Sequence, residues 1–296
     1  MNIEELLSKE YDIKIKSITE APRGFIAETH IVNIENDKYF LKILKDNRYS
    51  KNILQSLPIL SELKKLDIDF VNYPIKTIDN NLYLKEGERY LVLFNYIEGS
   101  TTWDYDVIEV YKKLIKIHKL SKKIISEVNE EDFVIRYEKE FEISLERYKE
   151  LKILKNYIDD INKHWIRFNS LSKKLSKKTF KLYLTHGDTF CNILAGEGRI
   201  YIVDWDDLIL GPLERDLWFY INNEKVVELY KSSFKGFKVD QELINYYIYN
   251  RFFDDLLGFF EELDKDTNGD KRREILGDIE KDCIHWTYKL IKDFSS

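Results

Sequence analysis

The chain has 296 residues, of which 44% are hydrophobic and 34% are charged, and its formal net charge is −6 at pH 7. This acidic balance argues against a protein whose main role is to hold nucleic acid, since binding of the phosphate backbone requires a basic surface. The length suits one large domain or two lobes, and the composition is that of a globular protein with an adequate core.

Two further features restrict the class of protein. Cys191 and Cys283 are the two cysteines, and neither has a His or Cys partner at the spacing of a metal site, so neither a disulfide framework nor a zinc motif is expected. The amino-terminal residues do not follow the pattern of a signal peptide, and no stretch approaches the ~18 apolar residues of a membrane span. We therefore expect a cytoplasmic protein that does not associate with membranes.

The first third of the chain predicts a small β-rich lobe with one helix. The segments IKIKSITE, THIVNIEN and KYFLKIL alternate apolar and polar residues between turn signals, which predicts three antiparallel strands. In SLPILSELKKL, Ser56 is the predicted N-cap and Pro58 lies in the predicted first turn of a helix. The segment NLYLKEGERYLVLFNYIEG predicts a hairpin.

After Gly99 the pattern changes to helical periodicity. Apolar residues recur at three and four positions in VIEVYKKLIKIHKL, in FEISLERYKELKILKNYIDDI and from Leu243 to Leu263. Strands are expected only between Leu182 and Asp207. The predicted domains are therefore residues 1–98 and residues 99–296, joined near NYIEGSTTW.

The segment from Leu182 to Asp207 contains the candidate catalytic and metal-binding residues. THGDTFCNIL and RIYIVDWDD contain two short apolar runs, and a hairpin of these runs brings Asn192 and Asp204 to the same end, with Asp188 on the loop just before it. Carboxylate and amide oxygens suit Mg²⁺, which keeps its other positions for water and phosphates. A third carboxylate can orient and deprotonate a hydroxyl. This division of tasks is the one that phosphoryl transfer requires.

The same residues resemble the catalytic and metal loops of the aminoglycoside phosphotransferase family, relatives of the protein kinases. The resemblance implies an α+β, bilobal, protein-kinase-like fold, with a small antiparallel β-sheet N-lobe that binds nucleotide and a larger, mainly helical C-lobe that binds the acceptor. By this resemblance Asp188 is the catalytic base. Asn192 and Asp204 are expected to hold Mg²⁺, and Asp206 is a candidate second-metal or supporting residue.

Three other segments extend the resemblance over most of the chain. In GPLERDLWF, Asp216 is expected to bond the backbone near the catalytic loop. KYFLKIL resembles the strand whose lysine, here Lys42, pairs with the nucleotide phosphates, and LVLFNYIEG resembles the hinge at which Asn95 and Ile97 face adenine through backbone groups.

Three features depart from the family pattern, and one of them is that APRGFIAE has only Gly24 where protein kinases have several glycines. Asp188 and Asn192 are separated by one residue fewer than is usual in the family's catalytic loop. The family also places an acid on the first-lobe helix to fix the phosphate lysine, but the predicted helix has only Glu62, late in its length, so the partner of Lys42 stays unassigned.

The acceptor is expected to bind the helical lobe. YYIYNRFFDDLLGFFEELDKD interleaves aromatic and acidic residues and resembles a helix of the spectinomycin phosphotransferase branch, which makes Asp255 the candidate substrate contact. The same pattern also fits an ordinary amphipathic helix with a core stripe and a solvated acidic face.

The leading hypothesis is an enzyme that uses ATP or GTP with Mg²⁺ to phosphorylate a hydroxyl of an aminoglycoside or similar amino-alcohol, with no nucleic acid or membrane partner. A choline-type or homoserine-type metabolic kinase is one alternative. A catalytically idle, kinase-like binding protein of the spore-coat type is the other, because the catalytic loop is short and the helix acid is missing. The sequence leaves the oligomeric state open.

Overall fold

The computed structural model describes residues 2–21, 27–45, 48–196, 198–265 and 268–295. The chain divides into two compact units, the first formed by Met1–Glu130 with Leu182–Asp216 and the second by Glu131–Lys181 with Leu217–Ser296. The first unit contains the β-sheets, and the second is helical. This division does not test the domain boundary predicted at residue 98, which stays a prediction.

The strands of the first unit form three sheets. Their bounds are β1 Ser17–Glu20, β2 Glu28–Asn33, β3 Lys38–Lys45, β4 Leu84–Glu86, β5 Arg89–Asn95, β6 Ser100–Thr101, β7 Tyr183–Thr185, β8 Ile193–Gly196, β9 Arg199–Ile202 and β10 Ile209–Gly211. The largest sheet has the order β1-β2-β3-β5-β4, and the smaller ones have the orders β6-β8-β9 and β10-β7. All pairings between these strands are antiparallel.

Helices flank the sheets of the first unit and build the second. Their bounds are α1 Ile3–Tyr11, α2 Arg48–Lys65, α3 Val107–Leu120, α4 Glu138–Tyr148, α5 Ile158–Leu175, α6 Glu214–Leu217, α7 Glu224–Ser233, α8 Gln241–Asp264, α9 Gly269–Asp278 and α10 Tyr288–Ser295. A π-helical segment, Ile279–Thr287, connects α9 to α10. In the described residues, no helix is long and apolar enough to cross a membrane.

The five-stranded sheet has the strands that the sequence pattern predicts. The three predicted strands pair as an antiparallel meander, and the predicted hairpin is β4–β5, with Gly87 in its turn at a φ of 59°. In β3, Leu41 and Ile43 are buried in a cluster with Leu7 of α1. Because side chains alternate along a strand, Lys42 lies on the opposite face of the sheet from this cluster.

The prediction for the start of α2 was wrong. The helix begins at Arg48, eight residues before the predicted cap, and Pro58 lies inside it. The Ser56 hydroxyl donates to the Ile53 carbonyl at 2.8 Å within the helix and caps nothing. The proline removes one backbone hydrogen bond, but burial of Ile53, Leu57 and other apolar side chains on the same face keeps the helix continuous.

Helix α1 was not predicted from the sequence, although it carries a capping signal. The Asn2 side chain accepts from the Glu5 amide, and the Glu5 carboxylate accepts from the Asn2 amide, which is a capping box. The predicted helical segment from Phe141 to Ile161 is in fact interrupted, because α4 ends at Tyr148 and α5 begins at Ile158.

The second unit is built around α8. Its aromatic side chains are mostly buried, and Phe253 stacks on Phe168 of α5 with ring centroids 5.5 Å apart. Phe253 also meets Phe141 of α4 and Trp165 of α5 edge to face. The aromatic stripe of α8 is therefore the core of this unit, as expected for an amphipathic helix.

Candidate active site

The two predicted metal ligands lie at the same end of the β-hairpin formed by β8 and β9. Strands β8 and β9 pair with Ile193 opposite Ile202, and the Val203 amide donates to the Asn192 carbonyl at 3.0 Å. Asn192 therefore precedes one strand of the hairpin, and Asp204 follows the other at the same end. This is the hairpin that the sequence predicts.

The shortened loop between Asp188 and Asn192 folds as a single 3₁₀ turn, Thr189–Cys191. The Asn192 side-chain nitrogen reaches back to Asp188, donating to its carbonyl at 2.8 Å and to its Oδ2 at 3.3 Å. With the nitrogen engaged in this way, the amide oxygen is the atom of Asn192 available to a cation. The short spacing thus holds the candidate base and the candidate metal ligand together.

Asp216 holds the start of this loop. Its carboxylate is fully buried and accepts from the amides of His186 at 3.0 Å and of Gly187 at 2.6 Å. Its own carbonyl accepts from the Tyr111 hydroxyl at 2.8 Å. The resemblance placed Asp216 beside this backbone, and the two hydrogen bonds give a physical basis for the supporting role we assign to it.

His118 of α3 is a further residue of this support that sequence reasoning missed. It is buried, its Nδ1 lies 2.8 Å from the Leu184 carbonyl, and its Nε2 lies 3.7 Å from the Asp216 carboxylate. Burial lowers the pKa of His118 below its ordinary value, against the smaller opposing effect of Asp216. The motif IHKL gives no local signal for this contact, because His118 occupies an ordinary inward position of an amphipathic helix.

His186 bonds to backbone through both ring nitrogens. Its Nε2 donates to the Val203 carbonyl at 2.9 Å, and its Nδ1 accepts from the Asp188 amide at 3.2 Å. Its ring packs on Trp205, with centroids 4.5 Å apart. These bonds specify the tautomer protonated on Nε2. His186 therefore connects the catalytic loop to the end of β9.

Gly187 is favoured where the loop passes Arg215. Its φ is 91°, which strains any residue with a side chain, and a Cβ at this position would also displace the Arg215 guanidinium. That guanidinium donates to the Thr185 hydroxyl at 3.0 Å and to the Asp207 carbonyl at 2.8 Å. Arg215, which the sequence did not single out, therefore braces both segments that carry the candidate site.

Asp204 leaves the strand conformation at the end of the hairpin. Its φ is 64°, in the left-handed region that costs free energy for any residue except glycine and that Asp and Asn tolerate best. Its carboxylate contacts the Lys42 ammonium. Partial burial raises the pKa of Asp204, but Lys42 outweighs this and holds that pKa below its ordinary value.

Lys42 is buried and lies between two acids. Besides Asp204, it contacts both carboxylate oxygens of Asp206 at 2.8 Å. Burial lowers the pKa of Lys42, but the two carboxylates outweigh burial and raise that pKa above its ordinary value. Burial raises the pKa of Asp206. The acid of α2, Glu62, has other partners, since its carboxylate accepts from the amides of Ile125 and Ser126.

The predicted hinge residues lie at the end of β5 and just beyond it. Asn95 ends β5, its amide donates to the Tyr73 carbonyl at 3.1 Å, and its side-chain oxygen accepts from the Tyr73 amide at 2.7 Å. Ile97 comes two residues later and is half-buried. Because the Asn95 amide is already bonded, any backbone contact of this residue with adenine must use its carbonyl. The adenine contacts of Asn95 and Ile97 stay predictions.

The candidate substrate residue lies in the second unit. Asp255 accepts from the Arg251 Nε at 2.7 Å along α8, and both side chains are partly exposed. This ion pair gives Asp255 a structural partner, and its contact with an acceptor stays a prediction.

The donor atoms at the end of the hairpin suit a hard cation. They are a carboxylate of Asp204 and the amide oxygen of Asn192, with the carboxylate of Asp206 two residues further on. No cluster of three or more His, Cys, Asp or Glu side chains that could hold a metal occurs among the described residues. If these oxygens held Mg²⁺, so few protein ligands would leave its other positions to water and phosphate.

Comparisons with known proteins identify the family to which the chain belongs. The sequence model of the APH family, described as the phosphotransferase enzyme family, matches residues 17–238. No curated protein matches the chain. The match spans the first strands, the candidate catalytic loop and the segment that follows it.

Solved structures show the same fold. Spectinomycin phosphotransferase in complex with ADP and spectinomycin superposes with a TM-score of 0.65 at 21% identity, covering 98% of this chain and 93% of that chain. A microcompartment-associated aminopropanol kinase gives a TM-score of 0.66 at 13% identity, with coverage of 99% and 98%. Amicoumacin kinase in complex with AMP-PNP, Ca²⁺ and its ligand gives 0.61 at 15% identity, with coverage of 94% and 92%.

These comparisons confirm the predicted fold class, with an antiparallel sheet in the amino-terminal region and a helical carboxyl-terminal part. The chain belongs to the APH phosphotransferase enzyme family and is a small-molecule kinase.

Proposed function

We propose that this protein transfers the terminal phosphoryl group of ATP, with Mg²⁺, to a hydroxyl of an aminoglycoside, an aminocyclitol or a similar cationic amino-alcohol. The observation that carries the proposal is the meeting of Lys42 and Asp204 beside the loop that holds Asp188 and Asn192. A positive group for phosphate, oxygen ligands for a cation and a carboxylate for the acceptor are the parts that phosphoryl transfer needs.

Each side chain has a separate task in this proposal. Asn192 and Asp204 would hold Mg²⁺, which when bound neutralises charge on the phosphate oxygens. Lys42 binds the nucleotide phosphates. Asp188 accepts the proton of the acceptor hydroxyl and orients it, and Asp216 keeps the backbone just before Asp188 in place through two buried hydrogen bonds.

The acceptor class is supported by resemblance. Spectinomycin phosphotransferase is among the structures with this fold, which supports an amino-alcohol of this kind as the acceptor. An aminopropanol kinase shares the fold as well, so a metabolic amino-alcohol kinase is the second candidate.

An acceptor screen tests the proposal. Purified protein with ATP and Mg²⁺ is mixed separately with spectinomycin, other aminoglycosides, choline, homoserine and 1-amino-2-propanol, and ADP release is measured. We expect release with at least one cationic alcohol and none with the Asp188→Asn variant. A signal only with choline, homoserine or aminopropanol would favour the metabolic kinase. A protein that binds ATP but phosphorylates nothing would favour the idle scaffold.

A further inference from the structure

The buried ammonium of Lys42 has an unusual pair of partners. Both of its carboxylate contacts, Asp204 and Asp206, come from the loop that follows β9. Lys42 is only 6% exposed, so its charge requires an anionic partner in any state of the site.

Helix α2 supplies no such partner. Its one acid is Glu62, and both oxygens of that carboxylate are bound to the segment at Ile125 and Ser126. Among the described residues, the carboxylates in contact with Lys42 are those of Asp204 and Asp206.

The two acids differ in what else they can do. Asp204 stands at the end of the hairpin beside Asn192, its side chain is 44% exposed, and its φ of 64° turns it out of the strand. Asp206 is 17% exposed and faces Lys42 with both oxygens at 2.8 Å. A cation drawn to Asn192 and Asp204 would compete with Lys42 for Asp204, whereas the bidentate contact with Asp206 would persist.

We propose that Asp206 is the positioning residue of Lys42, holding the ammonium in place for the nucleotide phosphates while Asp204 serves the metal. This inference rests on the proposed function, because it takes Lys42 to be a phosphate-binding residue. It places in one loop, residues 204–206, both the metal ligand and the anchor of the phosphate lysine. An anchor on α2 is then unnecessary.

A double-mutant cycle on nucleotide binding tests the inference. The affinity for mant-ATP is measured by fluorescence, in EDTA and in Mg²⁺, for the wild type, Asp206→Asn, Lys42→Met and the double variant. We expect Asp206→Asn to weaken binding in EDTA roughly tenfold or more, the size expected for loss of a charged hydrogen-bonded contact. In the Lys42→Met background the same change should have little further effect, because the residue acts through the lysine.

Asp207→Asn is the matched control. Asp207 is exposed and lies next in the chain, and its carbonyl accepts from Arg215, a contact that the change of side chain preserves, so its variant should bind mant-ATP like the wild type. Asp206→Ser serves as the second variant if circular dichroism shows that Asp206→Asn does not fold.

Three outcomes would overturn the inference. Equal losses from Asp206→Asn with and without Lys42 would show that Asp206 acts independently of the lysine. A loss seen only in Mg²⁺ would make Asp206 a metal ligand. No loss at all would leave Asp206 without a role in binding. These results leave the kinase proposal standing, whereas a wild type that binds no mant-ATP in either buffer contradicts both.

Discussion

The buried hydrogen bonds of Asp216 make a quantitative prediction for Asp216→Asn. The carboxylate accepts two backbone amides, at 3.0 and 2.6 Å, with no exposure to solvent. Asparagine keeps one acceptor oxygen and turns an NH₂ group toward the other amide, so one charged hydrogen bond is lost and one buried N–H is left without a partner. The unpaired N–H costs about 1–3 kcal/mol and the loss of charge from the remaining hydrogen bond costs about 1 kcal/mol, which gives a loss of about 2–4 kcal/mol.

A thermal melt measures this loss. At about 2 °C per kcal/mol for a chain of this size, Tm should fall by about 4–8 °C. The control is Asp207→Asn, a change at an exposed residue, and the Tm of this variant should stay within about 1 °C of that of the wild type. In the variant kcat should also fall by more than nucleotide affinity, since the displaced backbone precedes Asp188. A Tm equal to that of the control would refute the argument, because it would mean that these two hydrogen bonds contribute no net stability.

Three further predictions concern the same segment. Gly187→Ala should lower Tm and activity together, because the new Cβ meets the Arg215 guanidinium and φ is 91°, and a melt with the activity assay checks it. Asp188→Asn should lower kcat at least about 100-fold with nearly unchanged nucleotide affinity. Asp204→Asn, in which asparagine tolerates the left-handed backbone, should instead weaken Mg²⁺-dependent nucleotide binding. The reversed pattern would mean that Asp188 and Asp204 have exchanged roles. His118 is buried with its pKa lowered, so its contribution to stability is present above the unfolded pKa of about 6.5 and is lost as pH falls below that value. Tm should therefore fall more between pH 7.5 and 5.5 in the wild type than in His118→Gln.

Local patterns in the sequence predicted most of the large sheet and the hairpin of the site. Alternation in KYFLKIL and the turn at Gly87 are short-range signals, and strands β3, β4 and β5 form where those signals lie. The start of α2 could not be predicted in this way. Ser56 and Pro58 imitate a helix start, and only the burial of apolar residues that precede them shows that the helix continues through both.

Contacts between distant residues could not be predicted from these patterns. Lys42 and Asp206 are 164 positions apart, and His118 and Leu184 are 66 positions apart. The sequence left the partner of Lys42 unassigned, since several acids follow β9 and the strand pattern does not distinguish them. The distances in the folded unit distinguish Asp206, which contacts the lysine, from Asp207, which is exposed.

Two residues of the candidate site, Asp204 and Lys42, are also places at which the local rules fail. Asp204 ends an apolar run, so the sequence pattern predicts that the strand continues through it, but its backbone is left-handed. A lysine is usually exposed, but Lys42 is buried. Each departure costs free energy when taken alone, and the two are joined by an ion pair that offsets part of both costs. A cation bound to Asp204 would break the ion pair between Asp204 and Lys42. The loop would then be held in its strained conformation by the contact between Asp206 and Lys42. The stability of the site and its readiness for nucleotide should therefore change together when Asp206 is replaced.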